Sequence, residues 1–199
     1  VKIREQGAFK GAIINDASKI EETLKNLRTM DSPMCENLVD QVSVKSTISI
    51  DNGKGLRIGV IDCGTKRGII DHLSQRFDIE IFPYDTPSQA IVDSGVKGIM
   101  ITNGPGDPAH PALRDTTVRT VKELSSLMPM TGICFGSQLI GLAMGGSTYK
   151  MKFGHRGTNQ PVKYEGKVFI TSQNHGYVVD DHSLDGTGLI VDQVNVNDI

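Results

Sequence analysis

From residue 56 onward, short apolar runs alternate with stretches whose apolar residues recur every three or four positions. Arg57-Ile58-Gly59-Val60-Ile61-Asp62 holds an apolar run that ends at a polar residue, the pattern of a strand buried on both faces of a parallel sheet. Lys66 to Arg76 has the helical spacing, with Ile69, Ile70 and Leu73 predicted to face inward. Ile79–Pro83 reads as the next strand and Gly98–Thr102 as a third, closed by the turn Asn103-Gly104-Pro105-Gly106-Asp107-Pro108. A helix predicted from Ala112 to Leu127 leads to a short strand, Met130-Thr131-Gly132-Ile133, which delivers Cys134. Strands and helices alternating through short turns predict a doubly wound, mostly parallel α/β sheet. In such sheets ligands sit at the carboxyl ends of the strands, which places the turns at Gly104 and Cys134 on one rim.

The first fifty residues have a different texture. Ser18 to Met30 reads as a helix with Ile20, Leu24 and Leu27 on one stripe, capped by Ser18, acidic at Glu21 and Glu22, and ended by Ser32-Pro33. The polar connector Asp51-Asn52-Gly53-Lys54-Gly55 predicts a boundary, with residues 1–50 forming part of a smaller domain and residues 51–199 a second one. The chain does not begin with Met, and Val196-Asn197-Asp198-Ile199 reads as an interrupted strand, so both ends are expected to be cut from a longer protein.

Composition narrows the function classes. A hydrophobic fraction of 38%, a charged fraction of 22% and a net charge of -2 describe an ordinary globular chain, with no basic surface to argue for nucleic acid or anionic lipid. No apolar run approaches the roughly 20 residues of a membrane span, and Val1 to Gln6 lacks a secretory signal. Cys35, Cys63 and Cys134 are an odd number without a CxxC pair, so no disulfide framework or zinc site is expected and a cytoplasmic location fits best.

Among these three thiols, Cys134 has the setting of a nucleophile. In Gly132-Ile133-Cys134-Phe135-Gly136-Ser137-Gln138 a buried strand, a reactive side chain and the apolar helix Gln138–Met144 follow one another, with glycines allowing a tight turn. The positive end of a helix favours thiolate, and amides at its start are free to stabilise an oxyanion. Spacing alone leaves a buried structural cysteine equally open, as Cys63, which also follows a strand, illustrates. The glycine-rich turn is either a plain tight turn or a binding loop; it lacks the Gly-Lys-Ser/Thr of a phosphate loop, and Asp107 has no neighbouring carboxylate for a metal.

The turn Gly132–Gln138 resembles the nucleophile motif of the Cys-dependent class I glutamine amidotransferases. Three further stretches, Thr102–Pro108, Lys150–Val162 and Thr171–Tyr177, are similar to the small subunits of carbamoyl-phosphate synthetases, as are Arg4-Glu5-Gln6-Gly7-Ala8 and Gly11-Ala12-Ile13-Ile14. The resemblance implies a flavodoxin-like amidotransferase domain that releases ammonia from L-glutamine through a thioester on Cys134. It implies that Gly104 and Gly106 hold glutamine and form the oxyanion hole with the Phe135 amide, while Gln138, Asn174, Gly176 and Tyr177 fix its amino and carboxylate ends. It implies no cofactor or metal in this chain, with ATP and bicarbonate used by a large partner subunit.

Ser137 stands where the family often has His, and the His-Pro-Glu segment that carries the family's base is absent, so poor activity of this chain alone is expected. His155 and His175 are the local candidates for a base, read here as structural histidines bracing loops; His72, His110 and His182 read as surface residues. Alternatives are an anthranilate- or guanylate-type amidotransferase and a non-catalytic regulatory subunit.

Overall fold

The protein, seen in a computed structural model, is described at Glu5, Gly7 and residues 9–32 and 35–198. Arg4, Gln6 and Ala8 of the amino-terminal motif, together with Pro33, Met34 and Ile199, lie outside the described residues. Helices α1 (Ile20–Thr29) and α2 (Leu38–Val42) precede strand β1 (Ile48–Ile50). Then come β2 (Arg57–Asp62), α3 (Arg67–Ser74), β3 (Asp78–Pro83), α4 (Ser88–Asp93) and β4 (Ile99–Ile101). Helix α5 (Pro111–Leu113) runs through a π-helical turn, Arg114–Val118, into α6 (Arg119–Leu124). Strand β5 (Met130–Gly132) and α7 (Phe135–Ala143) carry the cysteine between them. The strands β6 (Thr148–Tyr164), β7 (Lys167–Val179) and β8 (Val194–Asn195) complete the order.

The main sheet has the order β1-β3-β2-β4-β5, with β2, β3, β4 and β5 parallel and β1 antiparallel on β3. From β2 the chain first winds outward to β3 and then returns to β4 on the other side. The reversal opens a crevice between the carboxyl ends of β2 and β4. Successive residues of β2 face opposite sides, and both sides are covered, which is why its sequence reads as one apolar run. On one face Ile61, Phe82, Ile99 and Ile101 meet Ile91 of α4, Leu113 of α5, Val121 of α6 and Leu139 of α7. On the other, Val60, Ile79 and Ile81 meet Ile70 and Leu73 of α3. The doubly wound expectation holds.

Several local expectations change. Asp16, not Ser18, opens the first helical segment: its carboxylate accepts the Ser18 amide at 2.9 Å and the Ser18 hydroxyl at 2.7 Å, because an ionised carboxylate is the stronger acceptor. The α1 stripe is not a core face, since Ile20 and Leu24 are each 42% exposed. Val196–Asp198 is not an interrupted strand but a 3₁₀ turn, β8 having ended at Asn195; Ile199 lies outside the described residues.

Hydrogen bonds tie the connector to the sheet. Asp78 of β3 accepts the amides of Asn52 at 2.8 Å, Lys54 at 3.0 Å and Gly55 at 2.9 Å, which pins the connector between two strands of a single sheet. Elements on both sides of the predicted boundary therefore share one sheet.

After α7 the chain builds a long antiparallel hairpin, β6 and β7, with a two-residue turn in which Glu165 and Gly166 both have positive φ (46° and 75°). That is the turn whose twist matches paired strands. Among the described residues no helix is long and apolar enough to cross a membrane.

Candidate active site

Cys134 adopts φ 53° and ψ -105°, a conformation that costs a non-glycine residue strain and marks functional turns. The neighbouring glycines are required by close approach. A methyl group on Gly136 would lie 2.2 Å from the Ile101 carbonyl oxygen, and one on Gly132 would lie 2.4 Å from the Gly136 carbonyl carbon. The start of α7 is thereby pressed against the ends of β4 and β5, and the turn projects the thiol out of the packed layer.

The thiol sits under β7, its Sγ donating to the Asn174 carbonyl at 3.9 Å. Burial pushes the Cys134 thiol above its ordinary range. A hydrogen bond from the Phe135 amide and the charge of Lys66 pull the other way without cancelling it. The thiolate expected from the helix terminus is thus disfavoured in the resting site, because desolvation outweighs one amide and a nearby cation. Cys63 is fully buried and pushed much higher by burial and the Asp62 charge, as a structural residue should be. Cys35 is exposed.

Two loops meet at the crevice. Thr102 Oγ1 accepts the Cys63 amide at 3.0 Å; Asn103 accepts the Lys66 amide at 3.2 Å and donates to the Gly64 carbonyl at 2.8 Å. Gly104 lies where a methyl group would come 2.7 Å from the Cys63 oxygen and 2.9 Å from the Phe135 ring, and Gly106 turns at φ 88°. Beneath them Asp62 accepts the amides of Val44, Gly64 and Thr65 and the Thr65 hydroxyl. Burial works against its charge, but these hydrogen bonds outweigh it and hold the carboxyl below the usual carboxylate range. The loop after β4 is steadied by Asp107, which accepts the Ala109 amide at 2.8 Å.

Cys134 borders two cavities. The larger, about 990 Å³, has Lys66, Asn103, Gly104, Ser137 and Asn174 on its walls. The smaller, about 460 Å³, is lined by Gln138, His155, Gln173, His175, Tyr177 and Asn195. Of the other sequence-predicted residues, Phe135 faces the sulfur through its amide, while Gly106 and Gly176 border neither cavity. Asn174 brings its backbone carbonyl to the thiol and lines the larger cavity. Gln138 is buried, and its amide donates to the Tyr177 carbonyl at 2.7 Å.

The two histidines form a braced pair. His155 Nδ1 lies 3.2 Å from His175 Nε2, and His175 Nδ1 donates to the Tyr177 carbonyl at 2.8 Å. Gln173 Oε1 accepts from Asn195 at 3.1 Å and lies 3.0 Å from His175 Nε2. Both histidines sit on the paired strands β6 and β7 rather than in loops, and both line the smaller cavity with Cys134. His110 departs from its surface reading: Nδ1 accepts the Ala112 amide and caps α5, while Nε2 donates to the Cys35 carbonyl at 3.3 Å.

Lys66 was missed by the sequence reading. The available signal was a cation four residues beyond the end of a parallel strand, next to the crevice.

Comparison with known proteins bears on the family and the fold. The chain is 46% identical to the carbamoyl phosphate synthase small chain of Methanopyrus kandleri, a match that takes in 99% of this chain and 55% of the relative. It is 39% identical to the protein of that name in Staphylococcus saprophyticus, over 99% of this chain and 53% of the relative. The chain thus spans about half the length of these curated relatives. A glutamine amidotransferase structure from Thermotoga maritima superposes with a TM-score of 0.50 at 15% identity, covering 63% of this chain and 62% of that one, which supports the fold. The glutamine amidotransferase class-I family profile matches residues 59–199, the whole stretch from β2 through the cysteine elbow and the hairpin, and the chain belongs to that family.

Proposed function

We propose that this chain carries the glutamine-hydrolysing site of a carbamoyl-phosphate synthetase small subunit. The observation that carries the reading is the strained cysteine elbow facing a Gly-Pro-Gly turn across the strand-reversal crevice. The 39% and 46% identities to proteins named carbamoyl phosphate synthase small chain support the choice within the family.

In this reading the Cys134 sulfur, as thiolate, bonds to the side-chain carboxamide carbon of glutamine, and the carbonyl electron pair moves onto oxygen. The backbone amides of Gly104 and Phe135 would receive that charge. When the tetrahedral adduct collapses, the C–N bond breaks and nitrogen leaves with an added proton as ammonia. Water then cleaves the thioester, giving glutamate and the free thiol. Lys66 favours the thiolate that burial disfavours. Ammonia passes to a large subunit that uses ATP and bicarbonate; no cofactor is assigned to this chain.

The test is chemical. A glutamine-like chloroketone should label Cys134, as read by peptide mass spectrometry, and excess L-glutamine should protect it. Preferential labelling of Cys35 or Cys63, or no protection by glutamine, overturns the reading.

A further inference from the structure

Helix α2 lies on the amino-terminal side of the connector, outside the part of the sequence to which the chemistry was assigned, yet it packs on both loops of the crevice. Val39 is fully buried in the cluster that contains Cys63, Ile101 and Phe135. A methyl group at Gly64 would lie 3.0 Å from Val42 Cγ2, 3.3 Å from Pro105 and 3.7 Å from the Gly104 Cα, so Val42 closes over the point where the two loops touch. A methyl group at Gly106 would lie 3.6 Å from Leu38 Cβ.

Hydrogen bonds hold the segment at both ends. Cys35 O accepts from His110 at 3.3 Å, Asn37 donates to the Tyr84 hydroxyl at 3.1 Å, and the Val44 amide donates to Asp62 at 2.8 Å. Neither Leu38 nor Val42 lines either of the two cavities described above.

A Gly-Pro-Gly turn has little side chain with which to anchor itself, and Gly106 in the left-handed region has more freedom than other residues to relax out of it. Amides that must meet a developing charge therefore depend on neighbours to hold them. We propose that α2 is a positioning element of the active site, with Leu38 and Val42 wedging the Gly104–Gly106 turn so that the Gly104 amide is held toward the substrate carbonyl over Cys134. The inference rests on the glutaminase reading. It moves part of the catalytic architecture into the segment before the connector.

The experiment uses the 199-residue chain and two reagents for Cys134. A glutamine-like chloroketone develops charge on its carbonyl oxygen; iodoacetamide needs only a reachable thiol. Leu38→Ala should slow chloroketone labelling at least tenfold, toward the ~10²-fold that a misplacement of about 1 Å can cause. It should change iodoacetamide labelling less than about twofold, since the thiol itself is untouched. Leu38→Met should restore the fast rate. Val42→Ala, at a residue already 51% exposed, gives a second variant that folds. Hydrogen exchange at the Gly104 and Gly106 amides should quicken in both alanine variants. Parallel slowing by both reagents, or unchanged exchange in that turn, overturns the positioning role. A wild-type chain whose chloroketone labelling glutamine does not protect overturns the glutaminase reading instead, and the exchange data still decide the role of α2.

Discussion

The side chain of Gln138 donates to the backbone carbonyl of Tyr177 at 2.7 Å, fastening helix α7 to strand β7 one turn beyond the thiol. The same carbonyl accepts from His175 at 2.8 Å, so Tyr177 O is the point at which helix and hairpin are joined. An amide that sequence resemblance assigned to substrate is therefore already engaged in holding the cleft together.

Gln138→Glu should behave like Gln138→Ala, because a carboxylate offers no proton to the Tyr177 carbonyl. Each should lower unfolding free energy by about 0.5–1.5 kcal/mol, the net worth of one hydrogen bond, since the Tyr177 carbonyl keeps its bond from His175, as read from urea melts. Chloroketone labelling should need more reagent to saturate. A glutamate variant as stable and as reactive as wild type would show that the tie is idle.

Alkylation of Cys134 should rise with pH through and beyond the ordinary thiol range, because burial has lifted its pKa and the thiolate is the reactive form. Lys66→Met removes the opposing cation and should slow iodoacetamide labelling at pH 7 by about two- to tenfold, the curve moving to higher pH. A pH profile that stays put after the substitution would remove Lys66 from the site.

Gly136→Ala forces a methyl group toward the Ile101 carbonyl oxygen, with an ideal separation of 2.2 Å. The obstacle is backbone, so the elbow itself must shift. Stability should fall by at least the ~1–3 kcal/mol of ordinary overpacking. Labelling of Cys134 by the chloroketone should fall with it, while Gly68→Ala, where a methyl group meets open space, serves as the quiet control.

Asp62→Asn tests the carboxylate beneath the crevice. Its folded pKa is depressed, so the charge contributes stability at pH above the unfolded value near ~3.9 and loses that contribution as pH falls through the folded value. Wild type and variant should differ by about 1–3 kcal/mol near pH 7 and converge as pH falls below the folded value. Parallel stability curves across that range would mean that the charge itself contributes nothing.

The parts of the fold legible in sequence were those whose cause is local. Strand β2 begins at Arg57 and ends at Asp62 as predicted, because burial on both faces leaves an unbroken apolar run. The cysteine turn was legible because its glycines answer to clashes within a few residues and one neighbouring strand. Strand β1 was missed because Ile48-Ser49-Ile50 becomes a strand only by pairing with Ile79–Ile81, thirty residues on. The hairpin was missed because its alternation is interrupted by irregular register between Lys150 and His155 and between Gly157 and Gln160. The thiolate expectation failed for a related reason: a helix terminus is visible in sequence, whereas the desolvation that overrides it depends on what the rest of the chain lays over the sulfur.

Strand β1 also has a preventive role. Its antiparallel register, Ile48 against Ile81 and Ile50 against Ile79, occupies the outer hydrogen-bonding groups of β3. A polypeptide begun at Leu56, where a cut between domains looks natural, would present β3 as a bare apolar edge, a template for pairing with other copies. Such a fragment is expected to retain the cysteine elbow and yet be lost to self-association, and starting it before Ile48 is the remedy.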